Sequence, residues 1–161
     1  TLPPEAPGTM ISTVSEQDKI KAVAAKDGIT SIRIKSSRML MAYGFMSQVF
    51  EVFERYKTSV DLVTTSEVGV SLTIDNPKHL DDIVTELKKF GTVVVDPDMV
   101  IIAVVGDMAW DNVGFESRVI EALEDVPVRM ISYGGSNYNI SILIKAEDKI
   151  RALRALSAKL F

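Results

Sequence analysis

The chain has 161 residues, 47% hydrophobic and 25% charged, with no cysteine and a formal net charge of -4, which excludes wholesale disorder, a disulfide scaffold, thiolate catalysis and zinc-thiolate sites. The acidic balance and the lack of a dense Lys/Arg cluster argue against nucleic acid and against an anionic membrane surface, leaving a small molecule or another protein as partner. No apolar run approaches the roughly 20 residues of a bilayer crossing, and the start Thr1-Leu2-Pro3-Pro4-Glu5 is unlike a secretion signal. The expected location is cytoplasmic, and a start without Met reads as a piece of a longer chain.

In chain order, three of the six prolines fall in the first eight residues, so 1–7 read as a linker and 9–13 as a short strand. Residues 19–26 offer one or two helical turns. Over 29–35, Ile32 and Ile34 alternate with Ser31, Arg33 and Lys35, the period of a half-buried strand. The period changes at Phe45: Phe45, Val49, Val52, Phe53 and Tyr56 recur at spacings of three and four, one face of a helix that opens at Gly44 and ends near Lys57. Strands follow over 60–64 and 68–74. Leu80, Ile83, Val84 and Leu87 mark a second amphipathic helix, with Asp81 and Asp82 favouring its dipole. Gly91 stops it, and 92–95 is a strand. Residues 99–105 are apolar enough to be covered on both faces. A helix over 115–124, strands over 128–132 and 138–144, and a helix over 147–160 with Ile150, Leu153 and Leu160 inward complete the chain.

From residue 29 the order is strand, helix, strand, strand, helix, strand, and from 99 it begins again. Gly44-Phe45 and Gly114-Phe115 each open a helix, Val49 matches Val119, Phe53 matches Leu123, and after a two-residue deletion Val60 matches Val128 and Ser71-Leu72 matches Ser141-Ile142. This is the signature of a duplication. The second copy lacks a closing strand, and an open sheet edge is a liability, so strand 9–13 is expected to fill it. The expected fold is α+β: two ferredoxin-like βαββαβ units, antiparallel sheets with helices on one face. The first unit, 29–97, is inserted in the second, made of 8–28 and 98–161.

A glycine before a helix leaves backbone N–H groups and a positive dipole end able to hold a carboxylate. Met41-Ala42-Tyr43-Gly44-Phe45-Met46 is such a turn, although a lone glycine there often serves only a tight bend. The next strand begins Ser59-Val60-Asp61, expected to pair beside strand 29–35 and so bring Asp61 to the turn. Amide donors beside an acid are complementary to a free amino acid. The second copy has Arg129 at the place of Asp61, so the first unit is expected to bind and the second to be structural. Thr65, Ser66 and Glu67 join two strands, where hydroxyls cap backbone or reach a ligand. Gly134-Gly135-Ser136-Asn137 lies between strands and reads as a hairpin turn rather than a phosphate loop. His79, the only histidine, has no second metal ligand at metal spacing and reads as a surface residue. Met39, Met41 and Met46 suggest adaptable packing, and Trp110 a covered loop.

Ser37-Arg38-Met39-Leu40, Tyr43-Gly44-Phe45 and the run from Ser59 to Val68 resemble the regulatory region of aspartate kinases, especially the lysine-sensitive type, with tandem ACT domains. Pro7-Gly8-Thr9-Met10-Ile11 is similar to the family's kinase-to-regulatory junction, and Ile131 to Ser136 to its second hairpin. The resemblance runs over nearly the whole chain. It implies a parent enzyme that uses ATP and Mg to phosphorylate the β-carboxylate of L-aspartate, with feedback by L-lysine or threonine. It further implies a homodimer through ACT sheets, a kinase domain in the same chain, and no catalysis by this region alone, since the kinase's Lys-x-Gly-Gly-Thr/Ser signature is missing. Met39, Ala42, Gly44, Phe45, Met46, Ser59, Val60 and Asp61 match the family's effector pocket, and Thr65, Ser66 and Glu67 its feedback-sensitive segment. Where some relatives carry His and Ser in the turn, this chain has Met41 and Ala42.

Overall fold

The computed structural model describes residues 11–12, 20–36, 43–106, 114–136 and 139–161. The expected linker 1–7 and residues Met39, Met41, Ala42, Trp110, Asn137 and Tyr138 lie outside the described residues. The elements are β1 (Ile11–Ser12), β2 (Ile20–Lys35), α1 (Phe45–Arg55), β3 (Val60–Thr65), β4 (Gly69–Ile74), α2 (Leu80–Leu87), β5 (Thr92–Gly106), α3 (Phe115–Ala122), β6 (Val128–Ser132), β7 (Asn139–Lys145) and α4 (Lys149–Leu160). Contacts divide the chain into two compact units, Gly28–Asp98 and Thr1–Asp27 with Met99–Phe161.

In Gly28–Asp98 the strand order is β3-β4-β2-β5. Ile32 and Ile34 of β2 and Val70, Leu72 and Ile74 of β4 meet Phe45, Val49, Val52 and Phe53 of α1 and Ile83 and Leu87 of α2. All are buried, each worth about 1.5–3 kcal/mol of transfer free energy. The opposite face of the same strands carries Arg33, Lys35 and Ser71. Arg55 and Lys89 reach the Glu86 carboxylate at 3.3 and 3.1 Å. The Lys89 hydrogen bond, then both positive charges, hold the Glu86 carboxyl below its ordinary range. Gly91 has a packing role: a Cβ there would overlap the Lys35 carbonyl oxygen and come within 2.9 Å of Ser36 Cβ.

In the other unit β5, β7 and β6 are neighbours in that order, and α3 and α4 cover one face. Met99, Val100, Ile101 and Ile102 are all buried, so both faces of β5 are covered there.

Several expectations are corrected. Residues 20–26 are strand, not helix: Val23 and Ala25 insert beside Val100, Ile102 and Val104 in the core, and that packing outweighs the weak helical preference of Ala and Lys. Strand β2 therefore starts at Ile20, and its first part takes the closing position beside β5 that was expected of 9–13. Strand β1 pairs with β2 instead, Ile11 opposite Val23 and Ser12 opposite Ala22. Residues 92–95 and 99–105 are parts of one strand: the chain runs through the Asp-Pro-Asp segment, with Asp98 at a left-handed φ of 57°, as an irregularity rather than a loop. Ile150 is exposed; Ala152, Leu156 and Leu160 are the buried face of α4.

Candidate functional site

Gly44 is the N-cap of α1 at φ 84° and ψ 3°, a left-handed conformation that glycine adopts without a Cβ penalty. No side chain caps the helix and its first turn holds no acid, so the helix itself supplies no anion to its leading amides and positive dipole end. Phe45 fixes the turn from below: it is buried, edge-on to Phe90 with ring centroids 6.4 Å apart. A Cβ at Gly44 would meet nothing within 4 Å, so among the described residues nothing crowds this position.

The second unit repeats this turn almost identically. Gly114 caps α3 at φ 86° and ψ -2°, again with no side-chain cap, and Phe115 is buried. The difference lies one residue on, where Glu116 in the first turn of α3 supplies a carboxylate and α1 has Met46. Sequence reading singled out Arg129 and overlooked Glu116, although its place in a first turn is legible without coordinates.

Strand β3 carries the other expected residues. Its pairing with β4 shifts register between Val60, opposite Ile74, and Val63, opposite Leu72. Asp61 sits in this bulge and is exposed. The Leu62 N–H displaced from the ladder donates to the Thr73 hydroxyl at 2.9 Å, which accounts for that buried threonine. At the other end of the strand Thr65 is exposed. Ser66 N–H donates to the Gly69 carbonyl at 2.8 Å, and Ser66 Oγ accepts from Val68 N–H at 3.4 Å, so Ser66 caps its own turn. Glu67 is exposed on the same turn.

The expectation that residues 60–64 pair beside 29–35 is corrected. Strand β4 lies between: Thr30 is opposite Ile74, and Lys35 is opposite Gly69. The α1 crossover leaves a one-strand slot, and β4, returning from a tight turn, fills it. Consequently the head of α1 and the start of β3 occupy opposite ends of the unit. Phe45 touches Phe90, Gly91 abuts Lys35, and Ser36 N–H donates to the Val68 carbonyl at 2.9 Å, which places Gly44 at the end of the 66–68 turn. Ser59, Val60 and Asp61 follow the far end of α1, about 16 Å away by the rise of an 11-residue helix. Within one chain, Gly44, Phe45 and Met46 therefore share an end with Thr65, Ser66 and Glu67 but not with Asp61. Met39 and Ala42 are outside the described residues.

Among the described residues no group of three His, Cys, Asp or Glu side chains is disposed to hold a metal ion. His79 is half-buried, its ring 6.0 Å from that of Tyr56. No helix of the described residues is long and apolar enough to cross a membrane.

A family model described as an ACT domain matches residues 102–160. The chain is 34% identical to the aspartokinase of Candida albicans over 169 residues, covering 98% of this chain and 31% of the relative. It is 32% identical to the lysine-sensitive aspartokinase 3 of Escherichia coli over 167 residues, covering 98% and 37%. It thus spans about a third of the length of the curated relatives it matches. Among solved structures, a C-terminal regulatory domain of aspartate kinase from Porphyromonas gingivalis W83 is 64% identical with a TM-score of 0.80, over 89% of this chain and 99% of that one. Aspartokinase III of Escherichia coli in complex with lysine and aspartate is 32% identical with a TM-score of 0.80, over 92% and 35%.

Proposed function

Because the chain belongs to the regulatory regions of aspartate kinases built on ACT domains, we propose that it binds an end-product amino acid, L-lysine, between two copies of itself and passes that occupancy to a kinase domain of the same polypeptide. The carrying observation is the head of α1: uncapped, without an acid in its first turn, uncrowded at Gly44 among the described residues, and different in charge from its twin at Gly114. The lysine carboxylate sits on the amides at Gly44 to Met46. The ammonium partner is Asp61 of a second copy, since Asp61 of the same chain is at the wrong end.

The sheet topology supports this arrangement. Strand β3 is the edge of the order β3-β4-β2-β5, and an edge offers a row of backbone groups to another strand. Two copies joined edge to edge about a two-fold axis run antiparallel, which sets the Asp61 end of one β3 beside the Thr65 end of the other. The effector site on this reading comprises Met39, Ala42, Gly44, Phe45 and Met46 with Thr65, Ser66 and Glu67 from one copy, and Ser59, Val60 and Asp61 from the other. The unit Gly28–Asp98 senses; the other unit, with Glu116 and Arg129 in place of the two recognition elements, is structural.

The parent activity is transfer of phosphate from ATP, with Mg, to L-aspartate to give 4-phospho-L-aspartate, chemistry for which this region supplies control. A ligand that prefers one dimer packing roughly 150-fold shifts the balance by about 3 kcal/mol, enough to govern an attached enzyme. Titration calorimetry with lysine, threonine and methionine in turn tests the reading. Heat is expected with lysine, and Asp61→Ala removes it without changing the far-UV circular dichroism. No heat with any of the three, together with an equally tight dimer by sedimentation with and without lysine, would reduce the region to a scaffold.

A further inference from the structure

A groove of about 290 Å³ lies on the sheet face of Gly28–Asp98 away from the helices, and its lining includes two cations, Arg33 and Lys35, and no acid. Pairing register sets these residues in rows. Arg33 is opposite Ser71, which is opposite Thr64, and Lys35 is opposite Gly69. Gly69 has no side chain, and a Cβ built there would lie 3.8 Å from Ser66 Oγ, so the second row ends on that hydroxyl. Rows on neighbouring strands are about 4.8 Å apart, and residues two apart on one strand are about 7 Å apart. The result is a shallow cup with two positive charges on β2, flanked by hydroxyls on β3, β4 and the turn between them and by Thr92 of β5. Exposed Val68 and Val94 form apolar walls.

Among the described residues the charges and donors of this cup have few partners. Lys35 meets no carboxylate among the described residues. Arg33 reaches Asp96 only at 4.0 Å, and its Nε is shielded from solvent without a hydrogen-bond partner. The Ser71 and Thr64 hydroxyls make no side-chain hydrogen bond among the described residues.

The duplicated unit supplies an internal control. There the matching row is Ala103, Ser141 and Ser132, and the next is Val105 opposite Asn139. The hydroxyls are kept, both cations are replaced by apolar residues, and the glycine becomes Asn139, whose Nδ2 donates to Ser141 Oγ at 3.0 Å. That cup is closed by its own side chain; the one on Gly28–Asp98 is open and charged.

We propose that the Arg33–Lys35 groove is a binding site for a small organic anion bearing a carboxylate or phosphate group, with the anionic group between the two cations and on the Ser71 hydroxyl. The site adjoins the proposed lysine pocket through Thr65 and Ser66 but uses neither Gly44 nor Asp61, so the two stand or fall separately. Two-dimensional amide NMR at low ionic strength, with succinate and with inorganic phosphate as probes, tests it. Saturable shifts are expected at residues 33–35, 69–71 and 92–94, and the stronger probe tells carboxylate from phosphate. The double variant Arg33→Gln/Lys35→Gln should weaken binding at least tenfold. Gly69→Asn, which installs the side chain found at the matching position of the other unit, should block it with the spectrum elsewhere unchanged. Asp61→Ala should leave anion binding intact. Absence of saturable shifts with both probes, or binding indifferent to all of the groove substitutions, would overturn the assignment.

Discussion

A composite effector site makes a demanding prediction about mixed dimers. A free amino acid gripped at both its carboxylate and its ammonium spans about 9 Å from donor to acceptor when each hydrogen bond is about 2.9 Å. The 11 residues of α1 alone separate its head from the start of β3 by about 16 Å. One chain therefore cannot close on the ligand. Asp61→Ala removes a charge-assisted hydrogen bond worth about 1.5–3 kcal/mol, a loss of roughly 10- to 150-fold in affinity. Gly44→Val forces a branched side chain into a left-handed conformation at a cost of about 1–2 kcal/mol and sets that side chain beside the amides that hold the carboxylate on this reading. Each variant homodimer should take up no lysine near the wild-type dissociation constant. A heterodimer isolated with two affinity tags contains one site with Gly44 of one chain and Asp61 of the other both intact, so calorimetry should recover about half the wild-type stoichiometry. If the heterodimer binds no more than its parents, the site lies within one chain or Asp61 takes no part.

Lys57 holds a φ of 50° just past α1, where Lys57 N–H bonds Glu54 O and Thr58 N–H bonds Phe53 O. This is a Schellman closure with a lysine at the glycine position, so Lys57→Gly should stabilise the fold by about 1 kcal/mol in urea melts; no gain would mean that the left-handed turn is not strained. Gly91→Ala should cost about 1–3 kcal/mol by overpacking against the Lys35 carbonyl, and an unchanged midpoint would contradict the close approach. Glu86 has a lowered carboxyl pKa, so its contribution is complete above the ordinary carboxylate range and fades as pH falls through the lowered value. Urea midpoints of the wild type and Glu86→Gln should accordingly differ at neutral pH and converge in acid; a constant gap would assign the effect to packing.

Much of the fold was legible because amphipathic periods are local. The face of Phe45, Val49, Val52 and Phe53, the alternation of Ile32 and Ile34, and the paired Gly-Phe turns all report burial along a few residues. What escaped is non-local. Residues 20–27 become strand because Val23 and Ala25 find a core made largely from residues beyond 99, and no window of sequence contains that partner. The placement of Asp61 failed for the same reason. Composition identifies β3 as a strand, but which neighbour it pairs with depends on the slot left by the α1 crossover. The groove at Arg33 and Lys35 was hidden in plain alternation, since polar residues on the outer face of a strand ordinarily meet only water.

The closing position of the second unit is held by a strand made early in the chain, while the core it packs into is built from residues beyond 98. A ribosome therefore completes Gly28–Asp98 first, with all of its contacts in hand, while Val23 and Ala25 wait for a core not yet synthesised. The inserted unit should thus mature before its host, which waits until residues 99–161 have been made.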